Sequence, residues 1–171
     1  MKRGLFIGRF QPFHLGHLKV VEHILQNEDE VIIGVGSAQY SHTFENPFTT
    51  GERIEIIRKT LKTTVGLDRF FIITIPDIGE HRLWVSRVVS FCPEFQTVYS
   101  NNSLVKVLFE EAGYTVKSVP FFDREKMMGR EIRKLISTGG DWRSRLHPEA
   151  VKYLEKIGAE KRLAAIITDD F

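Results

Sequence analysis

The chain has a single cysteine, Cys92. That excludes an intrachain disulfide and a cysteine-rich zinc cluster, and Cys92 reads as a small buried hydrophobe. No apolar run approaches the roughly 20 residues needed to span a bilayer, so no membrane partner is expected. Met1-Lys2-Arg3 leads straight into a short strand pattern and not into the long apolar segment of a signal peptide. A soluble, cytoplasmic protein is therefore expected. Charge is nearly balanced: 24 Lys and Arg against 22 Asp and Glu leave +2. So mild an excess argues against a dedicated nucleic-acid protein and suits a small anionic substrate. Internal repeats, low-complexity tracts and linkers are lacking as well. No Gly-x-Gly-x-x-Gly follows the first apolar run, which argues against an NAD-dependent oxidoreductase.

What remains is an ordinary globular balance, 42% hydrophobic and 27% charged over 171 residues, enough for one domain with a real core. Short apolar runs at Leu5–Ile7, Val31–Gly36, Phe70–Ile75, Thr97–Tyr99 and Thr115–Val119 read as strands. Helical patterns fall between them, at about 15–27, 50–62, 80–91 and 102–112. This alternation predicts βαβ units and a parallel sheet with right-handed crossovers. The expected fold class is α/β: a Rossmann-like, doubly wound parallel sheet with ligands beyond the strands' carboxyl ends. From Gly129 onward the pattern is helical, at about 129–137, 148–157 and 159–167. A single domain over 1–171 is expected, with an α/β core at 1–125 and a C-terminal helical cap at 126–171.

The most informative segment is Gly8-Arg9-Phe10-Gln11-Pro12-Phe13-His14-Leu15-Gly16-His17. An apolar strand ends at Gly8, and the chain enters a loop and then a helix N-terminus. Such a terminus carries unsatisfied N–H groups and partial positive charge, which favour phosphate. His14 and His17, three apart, share a helix face. With Arg9 they make a pocket suited to a polyphosphate, and so to nucleoside triphosphate chemistry. A second segment, Gly36-Ser37-Ala38-Gln39-Tyr40-Ser41-His42, follows the second strand, where small residues let a ligand approach the backbone. In the third, Asn46 to Arg53, Thr49 or Thr50 is a candidate cap for the next helix, with Glu52 favourable in its first turn. Trp84 offers an indole face to a cationic ring, whereas Trp142 reads as packing.

His14-Leu15-Gly16-His17 resembles the (H/T)xGH signature of the nucleotidyltransferase superfamily. GRFQPFHLGH, GSAQYSH and NPFTTGER together resemble the archaeal-type nicotinamide mononucleotide adenylyltransferases. The resemblance extends through Pro76-Asp77-Ile78 before Trp84-Val85, Val98-Tyr99-Ser100 before Asn102 to Val105, and Gly129 to Arg133 before Gly140-Asp141-Trp142. It covers nearly the whole chain in order. It implies an enzyme that transfers AMP from ATP to nicotinamide mononucleotide, giving NAD and pyrophosphate.

On this resemblance His14, His17, Arg9 and Arg133 are expected to be catalytic, with Arg133 at the superfamily's Thr-x-x-Arg arginine. Nucleotide contacts are expected from Gly8, Phe10, Gln11, Gly16, Ser37, Gln39, Asp77, Ile78, Trp84, Asn102, Gly129 and Arg130, with Trp84 against the pyridine ring. Mg²⁺ is expected with ATP, needing few protein ligands, so no residue is assigned to a metal. NAD is expected as a bound product. The resemblance further implies a homo-oligomer, often a hexamer. The chain departs from the pattern at Met128 and Arg130, where the family has Ser and Thr, at His81 in place of Asn, and at Asn101 in place of Gly. Two other readings remain open: a related transferase acting on flavin mononucleotide, phosphopantetheine or a polyol phosphate, and a nucleotide-binding sensor without catalysis.

Overall fold

The computed structural model describes residues 1–120, 122 and 127–169. Among the described residues five strands form one sheet: β1 (Arg3–Gly8), β2 (Glu30–Val35), β3 (Phe70–Thr74), β4 (Thr97–Tyr99) and β5 (Thr115–Lys117). Seven α-helices accompany them: α1 (Leu15–Leu25), α2 (Thr50–Thr64), α3 (His81–Phe91), α4 (Ser103–Glu111), α5 (Gly129–Thr138), α6 (Pro148–Lys156) and α7 (Ala159–Asp169). The sheet order is β3-β2-β1-β4-β5 with every pair parallel. This is the doubly wound α/β arrangement expected. Strand order reverses at β1, the central strand, because helical crossovers carry β2 and β3 to one side and β4 and β5 to the other.

The described residues cluster into two compact units, and the chain passes between them several times. The first holds Met1–Gly8, Val20–Ala38 and Asp68–Pro120, and so the whole sheet. The second holds Arg9–Lys19, Gln39–Leu67 and the C-terminal helices. Segments 9–19 and 39–67 thus group with the helical part of the chain. The boundary expected at 125/126 lies outside the described residues.

In the first unit, Leu5, Ile32, Ile75, Val85, Val88, Phe95, Val98 and Phe109 make one buried cluster, with Trp84 and Cys92 packed against it half-buried. The apolar runs of β1 and β2 are buried almost throughout, as in a sheet covered on both faces. Burial raises the Cys92 thiol to about 11, so it stays a neutral packing group. β5 stops two residues short of the expected Val119. There Asn101 replaces the ladder: its Nδ2 donates to the Val119 carbonyl at 2.7 Å and its Oδ1 accepts from the Val119 N–H at 3.0 Å.

In the second unit α5 packs on α7 and α2 on α6. Its core includes Phe10, Phe13, Phe48, Ile56, Ile57, Ile132, Ile136, Leu154 and Leu163, with Trp142 fully buried and its Nε1 donating to Glu160 at 2.7 Å. α2 starts as its sequence anticipates. The Thr49 side chain accepts from the Glu52 N–H at 3.2 Å, and Glu52 accepts from the Thr49 N–H at 2.9 Å. That capping box satisfies two orphan donors of the first turn. No described helix is long and apolar enough to cross a membrane.

Candidate nucleotide site

A cavity of about 330 Å³ in the second unit is lined by Arg9, Phe10, Gln11, Pro12, His14, His17, Met128, Gly129, Arg130 and Arg133. Two stretches of chain more than a hundred residues apart meet there: the loop entering α1, and the first turn of α5.

The two histidines cap each other. The His14 carbonyl accepts the first intrahelical bond, from the Leu18 N–H at 3.1 Å, which makes His14 the N-cap of α1. Its Nδ1 accepts from the His17 N–H at 3.3 Å, while the His17 Nδ1 accepts from the His14 N–H at 3.2 Å. This is the reciprocal geometry of a capping box, built from two imidazoles. The rings stack at 3.6 Å and 20°. Phe10 meets His17 edge-on at 5.0 Å, with Phe13 at 5.4 Å.

An Nδ1 that accepts carries no proton, so each neutral ring bears its hydrogen on Nε2. Burial pushes His14 down to about 3. Burial first, and then the neighbouring His14, hold His17 well below the ordinary value. At neutral pH the pair is therefore two uncharged Nε2–H donors of fixed tautomer.

Gly16 leaves room for this stack. A Cβ there would fall 3.0 Å from the His14 Cε1 and Nδ1 and 3.1 Å from the Met127 Cβ. Gly16→Ala is expected to fold but to displace His14 and lower kcat/KM for the nucleotide about tenfold or more. Steady-state kinetics alongside circular dichroism checks this, and unchanged kinetics would remove the steric argument.

Positive charge comes from Arg9, Arg130 and Arg133. Arg133 is 5% exposed, and its Nη1 donates to the Gln11 carbonyl at 2.9 Å. Its Nε is buried without a hydrogen-bond partner. Burial, then the positive charges of Arg9 and Arg130, lower its pKa to about 10 against the opposing pull of Glu45. The group stays protonated at neutral pH, in a field that an anion would relieve. α5 begins beside it at Gly129, and its N-cap, Met128, makes no side-chain cap bond. The first-turn N–H groups of α5 thus receive no cap from the residue at its N-terminus, an arrangement suited to phosphate oxygens. At α1, by contrast, two of those amides are already taken by the histidines.

Gln11, expected at the nucleotide, lines the cavity but spends its side chain elsewhere. Its Nε2 donates to the Phe48 carbonyl and its Oε1 accepts from the Phe48 N–H, both at 3.0 Å. Its contribution to the cavity wall is consequently its backbone.

The remaining candidates lie outside this cavity's lining. Gly8 ends β1, and its carbonyl accepts from the Gly36 N–H at 2.9 Å. Ser37, with φ 49°, donates from Oγ to Asp77 Oδ2 at 2.7 Å and from its N–H to Oδ1 at 3.2 Å, tying the turns after β2 and β3. Ile78 follows Asp77 half-buried, and Gln39 is exposed. Trp84 is half-buried and meets Phe109 edge-to-face at 5.5 Å. The Asn102 side chain caps α4, accepting from the Leu104 and Val105 N–H groups at 2.9 and 3.2 Å.

Sequence reasoning missed Arg53. It is fully buried in α2, with Nη1 donating to the Arg9 carbonyl at 2.8 Å. The signal was present: an arginine three and four residues before Ile56 and Ile57 shares their apolar face.

A doubly wound parallel sheet with a histidine–arginine anion cavity defines a nucleotidyltransferase class of protein. The cytidylyltransferase-like family model matches residues 5–139, and the chain belongs to that family. A protein of Methanothrix thermoacetophila named nicotinamide-nucleotide adenylyltransferase is 49% identical over 173 residues, covering 100% of this chain and 99% of its own. The protein of that name from Saccharolobus solfataricus is also 49% identical, covering 99% of each. Among solved structures, a bifunctional NMN adenylyltransferase/ADP ribose pyrophosphatase from Francisella tularensis, complexed with AMP and a manganese ion, superimposes with a TM-score of 0.81. It is 23% identical, with 99% of this chain and 52% of that one covered, a likeness of fold.

Proposed function

We propose that this protein is an adenylyltransferase that joins ATP and nicotinamide mononucleotide into NAD and pyrophosphate. The observation that carries the reading is the cavity of Arg9, Arg130, Arg133 and the stacked His14–His17 pair, on a chain that aligns end to end with relatives of that name. An oxygen of the acceptor's 5′-phosphate attacks the α-phosphorus of ATP. The bond from that phosphorus to the α–β bridging oxygen breaks, and the oxygen leaves on pyrophosphate. The nucleophile is already anionic and needs no strong base. Catalysis is then positioning and charge stabilisation.

His14 and His17 donate from Nε2 to phosphate oxygens without adding charge. Arg133, and Arg9 with its exposed side chain, take the triphosphate in bidentate fashion. Arg130 adds a third cation, and the α5 amides at Gly129 receive an outer phosphate. Mg²⁺ arrives with ATP as part of the substrate and offsets charge on the leaving pyrophosphate. Trp84 is proposed as the residue that meets the pyridine ring, and Gly8, Ser37, Gln39, Asp77, Ile78 and Asn102 as nucleotide-contacting residues. A homo-oligomer is also proposed, in keeping with apolar side chains left exposed on α3 and α4: Leu83, Leu104 and Val107.

The test is a product assay with Mg–ATP and a panel of acceptor phosphates. Stoichiometric NAD and pyrophosphate from nicotinamide mononucleotide is the expected result. Pyrophosphate with another acceptor alone would move the substrate within the same reaction class. Tight ATP binding without product would replace the reading with that of a sensor.

A further inference from the structure

Phe10 has φ 51°, in the left-handed region that a bulky residue rarely adopts. Its side chain is nearly fully buried. The carbonyls on either side of it are both held by buried guanidinium groups. Arg53 Nη1 donates to the Arg9 carbonyl at 2.8 Å, and Arg133 Nη1 donates to the Gln11 carbonyl at 2.9 Å. A conformation of this kind persists only where its surroundings over-determine it, and these two bonds do so. They come from different elements: Arg133 lines the cavity, and Arg53, 44 residues from its acceptor, does not.

Arg53 is itself well anchored. Its Nη2 donates to Thr50 Oγ1 at 3.1 Å. The residue before it, Glu52, closes the α2 capping box and is gripped by Arg162 of α7 through two 2.7 Å bonds. Arg162 also donates to the Pro47 carbonyl at 3.1 Å, and Phe48 is clamped by the Gln11 side chain. The start of α2 is thus a braced platform against which residues 9–11 are pinned. Burying a guanidinium costs more than burying an aliphatic side chain of similar volume, so packing alone would favour methionine or leucine at position 53.

We propose that Arg53 is a positioning residue for polyphosphate capture. It fixes the peptide between Arg9 and Phe10, and so sets where the Arg9 side chain meets the ligand. The inference rests on reading this cavity as a triphosphate site.

The test is binding of inorganic tripolyphosphate and of Mg–ATP by calorimetry to the full chain, for wild type, Arg53→Met, Arg9→Ala and the double variant, with KM for ATP and for the acceptor alongside. Arg53→Met is expected to weaken tripolyphosphate binding and raise KM for ATP about tenfold, the scale of one charge-assisted hydrogen bond, while KM for the acceptor moves little. The double variant is expected to bind no worse than Arg9→Ala, because Arg53 acts through Arg9. A purely structural role would shift both KM values together and add to the Arg9 loss. Should Arg53→Met fail to fold, Arg53→Lys keeps the buried charge with a different donor geometry and is read the same way. Wild-type affinity in whichever variant folds overturns the inference. Failure of the wild-type protein itself to bind tripolyphosphate overturns the underlying site reading instead.

Discussion

Replacing His14 or His17 with alanine is expected to lower kcat by about two to three orders of magnitude, and replacing both is expected to cost hardly more than replacing either. The reason is the ring stack built on the reciprocal cap. Each Nδ1 accepts the other residue's backbone N–H, which fixes the tautomer, and each ring holds its partner's rotamer by stacking on it at 3.6 Å. Removing one ring takes away the surface on which the other is stacked and leaves one α1 amide uncapped. Residues that act as a unit show this non-additivity. A double variant whose loss equals the product of the single losses would dismantle the stacking argument. The same geometry predicts a nitrogen NMR signature of two neutral Nε2–H rings at pH 7 and at pH 6. A pH effect on stability follows with a definite sign. His14 titrates at about 3 when folded against 6.5 as the ordinary value, so below about 6.5 the unfolded chain takes up a proton the folded chain refuses, and stability falls as pH drops. Glu52, whose folded pKa is lowered from 4.5, stabilises above that value and loses its contribution only at lower pH. Denaturant melts at pH 7, 6 and 5 should show a decline that His14→Gln reduces. A flat wild-type profile would contradict the burial argument.

Much of the architecture is legible because it rests on local chemistry. β1 and β2 are short apolar runs bounded by glycine, α2 starts at a Thr-x-x-Glu box, and Met128 lacks the hydroxyl that would cap α5. The sheet order needed structure, since alternating strands and helices are compatible with more than one winding. The site was legible where residues act near themselves in sequence: His14 and His17 are three apart, and Gly16 lies between them. It was illegible where a buried polar group finds its partner across the unit. Arg53 reaches back to residue 9, Gln11 reaches Phe48, and Arg133 reaches back to residue 11. No spacing rule links such positions, because tertiary burial and not periodicity selects them. Gln11 illustrates the consequence. Both ends of its amide are committed to the backbone of one distant residue, Phe48.

Arg133 is the second residue whose loss should be severe, and lysine should not replace it. Arg133→Ala is expected to reduce kcat/KM for ATP by about 10²–10³, and Arg133→Lys by nearly as much. The side chain has two tasks at once. Nη1 holds the Gln11 carbonyl, and the rest of the guanidinium, with a buried Nε that has no hydrogen-bond partner, lines the cavity with its Cζ 5.5 Å from the Phe44 ring centroid. A guanidinium has five donors in a planar fork, enough for a carbonyl and two phosphate oxygens together. Lysine presents a compact ammonium that would satisfy the carbonyl or the phosphate but lacks that fork. Electrostatics sharpen the expectation. Arg133 sits at about 10 because it is buried beside Arg9 and Arg130, so bound polyphosphate relieves repulsion that the empty cavity carries. Pyrophosphate inhibition should therefore weaken in parallel with the loss in kcat/KM, and both losses should shrink as salt is raised and the wild-type advantage is screened. Kinetics and pyrophosphate inhibition constants for the two variants at low and high salt decide the matter. An Arg133→Lys protein with wild-type kcat/KM would mean that a point charge suffices, and the two-task account of this arginine would fall.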